Sequence, residues 1–457
     1  MKKRNNKRSS FSGKLGFVLS AAGASVGLGN IWRFPYLAAK YGGGMFLLVY
    51  IILALTFGYT MIVAETSIGR MTKKSPVGAF KFFGNSKFAS LGGWINAIIP
   101  ILIVPYYSVI GGWVIKYLAE YIIGGNKLLA GDDYFTNFIT GGFSAEICFI
   151  IFTFITLAII YAGVRNGIER VSKFMMPILI VLSIIITIYS VTRPGALAGV
   201  KYFLIPNFEN FSWMTVVAAM GQMFYSLSIA MGILITFGSY MKKDLSIEDS
   251  TKNVEIFDTA IAIMAGLMII PAVFAFSGGD PDALNAGPSL MFITIPKMFE
   301  SMGLSTVVGI LFFTLVLFAA LTSSIALTES AVSTFQDEFG WGRKKATFIL
   351  GGIMLVLGSL SALGYGPLAC VKIIGMQFLD FFDFLTNSVM MPIAAFATCL
   401  LVSRKIGLKR IEEEVLSGES NFRRKKIFNF MIKYLCPIFA AIILLSSIAN
   451  AFGWITI

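Results

Sequence analysis

Histidine is absent from the sequence, and with it go the commonest metal ligand and the commonest general base. Cysteine is scarce. Cys148, Cys370, Cys399 and Cys436 lie far apart in or beside apolar runs, so no CxxC pair, zinc spacing or disulfide framework is implied. Charge is thin as well, at 13% of residues against the roughly one quarter usual in soluble domains. With no nucleophile–base constellation in sight, an enzyme is not expected. What fills the space is hydrocarbon: 56% of the 457 residues are hydrophobic and the mean hydropathy is +0.80, the composition of a polytopic membrane protein. The net charge of +13 does not point to nucleic acid, because helical membrane proteins gather Lys and Arg in their cytoplasmic loops.

Apolar runs near 20 residues predict eleven spanning helices, at 13–39, 44–69, 89–123, 145–163, 167–191, 212–240, 256–277, 303–336, 345–364, 370–402 and 428–454. A further stretch at 283–300, broken by Pro288 and Pro296, reads as a re-entrant or surface hairpin at about 280–300. The basic residues fall on one side of this count. Lys2, Lys3, Arg4, Lys7 and Arg8 precede the first span, Arg70, Lys73 and Lys74 follow the second, and Arg165, Arg170 and Lys173 surround the 4–5 turn. Lys242 and Lys243 follow the sixth, Arg343 to Lys345 separate the eighth and ninth, and a last cluster runs from Arg404 to Lys426. The positive-inside rule makes the N-terminus (1–12) cytoplasmic and, with an odd number of spans, puts the C-terminus outside. Ala22-Gly23-Ala24 resembles a signal-cleavage site, but apolar character resumes after Phe34 and ten more spans follow.

The first span should be most regular at its middle, yet residues 20–35 read SAAGASVGLGNIWRFP, with Gly23, Gly27 and Gly29 followed by Asn30 and Arg33. Freed backbone groups at that depth must face protein or a water-filled cavity, which points to a binding site for an ion and a small solute. A second break, Gln222 to Gly232, lies five spans later. Five spans followed by five inserted the opposite way is an inverted repeat: 13–191 and 212–402, with 428–454 as an eleventh helix outside it. The fold expected is therefore an all-α polytopic 5+5 bundle with broken helices 1 and 6. In the eighth span, Ala319 precedes Thr322, Ser323 and Ser324, hydroxyls suited, with freed carbonyls, to an all-oxygen cage for a hard cation such as Na⁺. Such small polar residues otherwise mark close packing. Glu65 and Asp258, buried in spans, need partners. Arg33 and Asp383 are expected to face each other above the site, and Arg8 and Asp337 below it, either as gates or as static pairs.

These residues resemble the neurotransmitter:sodium symporters, especially their bacterial amino-acid-transporting members. The resemblance rests on GASVGLGNIWRFPYLAAKYGGG in the first span, Glu65 with Gly69-Arg70, Tyr106-Tyr107, GQMFYSLSIAMG in the sixth span and LTSSIAL in the eighth. It extends from residue 8 to about 402. The family commonly has twelve spans; since the repeat uses ten, eleven should suffice.

The resemblance implies two sodium sites. One comprises Ser25, Asn30, Ser226 and Asp258, with Glu255 as competitor for the last position; the other comprises Gly23, Val26, Ala319, Thr322 and Ser323. The substrate carboxylate would meet the Gly29 amide and the Tyr107 hydroxyl, in a pocket shaped by Ser25, Gly27, Ile103, Tyr225, Ser228, Met231 and Leu327. Arg33 and Asp383 would form the outer gate, with Phe224 and Tyr107 closing the lid, and Arg8, Phe11, Tyr240 and Asp337 the inner one. Amine-transporting members carry an aspartate where this chain has Gly27, so the substrate should bring its own carboxylate. Chloride-dependent members pair a helix 7 serine with a tyrosine, here Tyr50, and a glutamine, here Gln222. Ala262 falls at that serine position and Asp258 lies one turn earlier, an acidic side chain that would replace chloride as counter-charge, so chloride is not expected to be required. Gly167 and Pro177 match a Gly-x9-Pro pattern linked to unwinding of the fifth helix. The implied protein is a Na⁺-coupled importer of a hydrophobic, aromatic or large aliphatic, L-amino acid in the bacterial inner membrane. It works by alternating access, has no nucleic-acid partner and is compatible with a homodimer. The rival readings are an amino-acid sensor and a sodium-gated channel.

Overall fold

Glycine and proline interrupt the apolar runs, and the computed structural model shows helices that break where those residues fall. It describes residues 9–84, 87–278, 287–451 and 453–454. Among them no β-strand forms; the one strand-like feature is an isolated bridge between Ile373 and Met376. The first span is two helices, α1 (Lys14–Ser25) and α2 (Gly29–Lys40), bent by 53°. Then come α3 (Gly44–Thr72), the short α4 (Pro76–Phe83), α5 (Ala89–Ile122), α6 (Phe143–Tyr161) and α7 (Val164–Val191). The expected sixth span is again two pieces, α8 (Trp213–Ser226) and α9 (Ile233–Tyr240), followed by α10 (Ile247–Ser277). After α11 (Ile295–Met302) run α12 (Ser305–Phe339), α13 (Arg343–Leu363) and α14 (Phe378–Ile406). The short α15 (Leu408–Leu416) leads into α16 (Lys425–Ala451). Among the described residues nine helical runs are long and apolar enough to cross a membrane, and the bent α1–α2 pair makes a tenth. Neither half of the α8–α9 pair does so alone.

Helix ends follow local chemistry. Ser212 caps α8 in a reciprocal box with Thr215, and the Ser246 hydroxyl accepts the Asp249 amide at the start of α10. With lipid offering no hydrophobic drive between helices, close packing rests on small residues. A Cβ at Gly69 would lie 2.0 Å from the Ile235 carbonyl oxygen, and one at Gly238 would lie 2.5 Å from that of Thr66, so α3 and α9 meet backbone to backbone. Helix α12 packs along α5, and α1 lies between α10 and α12.

One expectation changes. The tenth span was expected from 370 but starts at Phe378, because 364–377 is spent in turns, with Gly375 at φ +78°. Of the expected hairpin, 279–286 lie outside the described residues, and the described part carries a helical run, Leu290–Thr294 leading into α11.

Candidate functional site

The break between α1 and α2 is held open by side chains. Val26 is extended (φ −73°, ψ 100°), the Gly27 amide donates to Asn30 Oδ1 at 3.1 Å, and the Leu28 amide donates to the Tyr107 hydroxyl at 3.3 Å. In the α8–α9 break, Ser228 (φ 52°), Ala230 (φ 61°) and Gly232 (φ 69°) all take left-handed backbone, a costly conformation for Ser and Ala. The Ala230 amide is secured by Glu65 Oε1 at 2.8 Å, and the Ser228 hydroxyl donates to the Ala24 carbonyl at 2.9 Å. Gln222 reaches across to the Gly29 carbonyl at 3.0 Å. The two breaks thus stitch to each other.

Between them lies a small chamber. Every pocket residue expected from the sequence lines it except Phe224: Ser25, Gly27, Gly29, Ile103, Tyr107, Tyr225, Ser228, Met231 and Leu327 are all on its wall. Ala24, Leu28, Asn30 and Ser323 join them. Phe224 instead packs against Phe57, the rings tilted by 32° with centroids 4.9 Å apart. It is one residue, and so about 100° of helix, away from Tyr225, and that turn points it at α3. Tyr225, by contrast, lines both the chamber and the larger vestibule beyond it. Gly27 and Gly29 have no room for a side chain: a Cβ would lie 2.6 Å from Ser323 Oγ at the first and 2.3 Å from the Tyr225 ring at the second.

Two clusters of oxygen flank the chamber. In one, the fully buried Asp258 carboxylate receives Asn30 Nδ2 at 2.8 Å, the Ser226 hydroxyl at 2.8 Å and the Tyr50 hydroxyl at 2.9 Å. Among the described residues no Lys or Arg pairs with it. A buried carboxylate without a counter-charge is expensive, so the cluster is suited to a cation. Glu255 is occupied elsewhere, 3.1 Å from Arg424. In the other cluster the Ser323 hydroxyl lies 3.4, 3.2 and 3.3 Å from the carbonyls of Gly23, Ala24 and Val26. Thr322 Oγ1 lies 3.1 Å from the Ala319 carbonyl. Neutral oxygens converge here from α1 and α12.

On the vestibule side Arg33 and Asp383 line one space of about 1320 Å³ without pairing. Asp383 accepts from Tyr106 at 3.1 Å and Asn387 at 2.6 Å, while Arg33 sits 5.4 Å above the Tyr225 ring. The opposite side is plugged. Phe11, fully buried, packs edge-on against Phe17, Phe237 and Tyr240, and its amide donates to the Tyr240 carbonyl at 3.2 Å. Asp337 accepts the Ser75 amide at 2.6 Å; Arg8 lies outside the described residues.

Sequence reasoning missed the centre of this plug. Glu329, fully buried in α12, accepts the Tyr240 hydroxyl at 2.6 Å and pairs with Arg343 at 2.5 Å. A carboxylate inside an apolar run was the available signal. Near the predicted unwinding pattern, the carboxylate of Glu169 accepts the Ser12 amide at 2.9 Å and pairs with Lys173 at 2.6 Å. It thereby ties the segment before α1 to the start of α7.

Broken helices whose ends enclose a buried chamber, open toward a vestibule on one side and plugged on the other, make a membrane transporter rather than an enzyme. The sequence profile described as the Sodium:neurotransmitter symporter family matches residues 8–124 and 138–453, and the chain belongs to that family. It is a sodium-dependent symporter. It is 33% identical over 443 residues to the uncharacterized sodium-dependent transporter YhdH of Bacillus subtilis, covering 96% of this chain and 97% of that one. An uncharacterized sodium-dependent transporter of Haemophilus influenzae is 33% identical over 463 residues, covering 98% and 100%. The crystal structure of MhsT in complex with L-phenylalanine superposes with a TM-score of 0.86 at 36% identity, covering 96% of this chain and 100% of that one.

Proposed function

We propose that the protein imports a hydrophobic L-amino acid, aromatic or large aliphatic, together with Na⁺ by alternating access. The observation that carries this reading is the wall at Gly27. No side chain fits there, so no acidic group meets the amine of a solute. The solute must bring its own carboxylate, and the positive end of α2, with the Gly29 amide and the Tyr107 hydroxyl, receives it. Ile103, Met231 and Leu327 supply an apolar remainder, and the flexible thioether of Met231 makes room for a large side chain. The L-phenylalanine held by MhsT agrees with this reading.

Two sodium ions travel as co-substrates. The first lies among the Ser25 carbonyl, Asn30, Ser226 and Asp258, with the Asn30 amide turning its oxygen to the ion. The second lies among the oxygens of Gly23, Val26, Ala319, Thr322 and Ser323. The first ion touches the substrate carboxylate, so each binding event favours the other by the same free energy. Asp258 supplies negative charge where chloride serves in other members, and transport does not need chloride. The N-terminus is cytoplasmic and the C-terminus external. Uptake of labelled amino acids into proteoliposomes tests the whole reading. A Na⁺ gradient should drive accumulation of phenylalanine or leucine with gluconate replacing chloride. Equal uptake in K⁺ rejects symport, and tight binding without uptake identifies a sensor.

A further inference from the structure

A second cavity, remote from the transport site, has no role in that reading. It is a cleft of about 690 Å³ at the end of the bundle that carries the basic loops, formed where α4, the start of α5 and the end of α14 diverge. Its walls are Phe80, Ala89, Ala397, Leu400 and Leu401, and its rim is Arg404 and Lys405. At the floor the three helices come together at Gly92, where a Cβ would lie 2.9 Å from the Phe80 ring and 3.0 Å from the Ala397 Cβ. Small side chains at 89 and 397 leave the slot above that floor unfilled. The wide turn Leu401–Ile406, ended by Gly407 at φ +84°, carries both basic residues to the rim.

We propose that this cleft binds an anionic phospholipid of the adjoining leaflet, with an acyl chain in the slot and the phosphate on Arg404 and Lys405. Charge complementarity selects the occupant. Both side chains are exposed, and among the described residues neither makes a hydrogen bond or an ion pair. Of the cations on the same elements, Lys81 pairs with Glu338 at 2.6 Å, and Arg410 lies 5.8 Å above the Phe83 ring. Two unneutralised cations at the mouth of an apolar slot, at the headgroup end of a spanning helix, fit an amphiphile with one negative head. A soluble anion would have no use for the slot, and a neutral lipid none for the rim. The exposed Phe82, Leu91 and Phe396 continue the apolar surface on these same elements, as a lipid-facing approach requires.

The test uses the full chain purified in mild detergent and equilibrated with equal amounts of phosphatidylglycerol and phosphatidylcholine, the retained lipid being counted by native mass spectrometry. Phosphatidylglycerol should be retained preferentially. Each basic residue near a headgroup is worth about fivefold, so the R404A/K405A double variant should lose about 25-fold in phosphatidylglycerol retention with phosphatidylcholine unchanged. Leu400→Trp, which fills the slot and leaves the charges, should lower phosphatidylglycerol retention as well. Equal retention of the two lipids by the unaltered protein overturns the proposal and needs no variant to fold. So does a Leu400→Trp protein that keeps its phosphatidylglycerol but loses a dimer, which would make the cleft a contact between copies of this chain.

Discussion

Gly27 shows how much one missing side chain decides. Its Cβ would fall 2.6 Å from Ser323 Oγ and 3.1 Å from the Tyr107 hydroxyl, so even a methyl group must displace an oxygen from the cluster of α1 and α12 carbonyls. Gly27→Ala should weaken Na⁺-dependent amino-acid binding at least tenfold, the worth of about 1.4 kcal/mol, as read by isothermal titration. Undiminished affinity would mean that the break is looser than its geometry. Asp258 sits at the other oxygen cluster and gathers donors from Asn30, Tyr50 and Ser226. If its charge replaces chloride, Asp258→Asn should make uptake depend on added chloride, whereas uptake indifferent to chloride rejects that role. At this scale the glycine breaks and the Thr-Ser pair were legible, because small and hydroxylated residues inside an apolar run have few uses. The lid was not. Phe224 and Tyr225 are adjacent aromatics at the end of α8, and only the helical phase of α8 separates them.

At the scale of elements, the plug opposite the vestibule is an assembly of four chain segments. Phe11 comes from the segment before α1, Tyr240 from the end of α9, Glu329 from α12 and Arg343 from the start of α13. Its core is an ion pair between the fully buried Glu329 and the half-buried Arg343, where removing one partner strands the other charge at a cost below the about 3–5 kcal/mol of a fully buried pair. Glu329→Gln should therefore lower the thermal midpoint by several degrees, and adding Arg343→Gln should recover part of the loss. Additive losses in the double variant would show that the two side chains are uncoupled. The sequence hid this pair because Arg343 reads as one more basic loop residue marking topology. Arg33 and Asp383 differ: both line the vestibule without pairing, and the distance between side chains on α2 and α14 is not something spacing in sequence encodes.

Over the whole molecule, the spans and their order were the most legible feature, since lipid demands long apolar helices and little else satisfies the backbone. The short α4 and α15 were not read at all, because their partners are the ends of other helices. Buried Arg70 shows this, held by Glu414 at 2.6 Å and the Leu245 carbonyl at 2.6 Å. The asymmetry of the basic loops predicts opposite sides for the two termini. Alkaline phosphatase fused after residue 457 should be active in a bacterial host, and a fusion truncated after 243 should not. Activity in the second fusion would invert the orientation.

The Asp258 cluster draws on α2, α3, α8 and α10 at once, through Asn30, Tyr50, Ser226 and Asp258 itself. If sodium binds there as proposed, an ion that knits four separate helices is also a keystone for handling the protein outside a membrane. Protein kept in sodium should outlast protein kept in potassium during purification. Its melting temperature should climb with the logarithm of sodium concentration once the site is more than half filled, by about 1.4 kcal/mol of added stability per decade for each ion bound. A melting curve indifferent to that exchange would leave the keystone without weight.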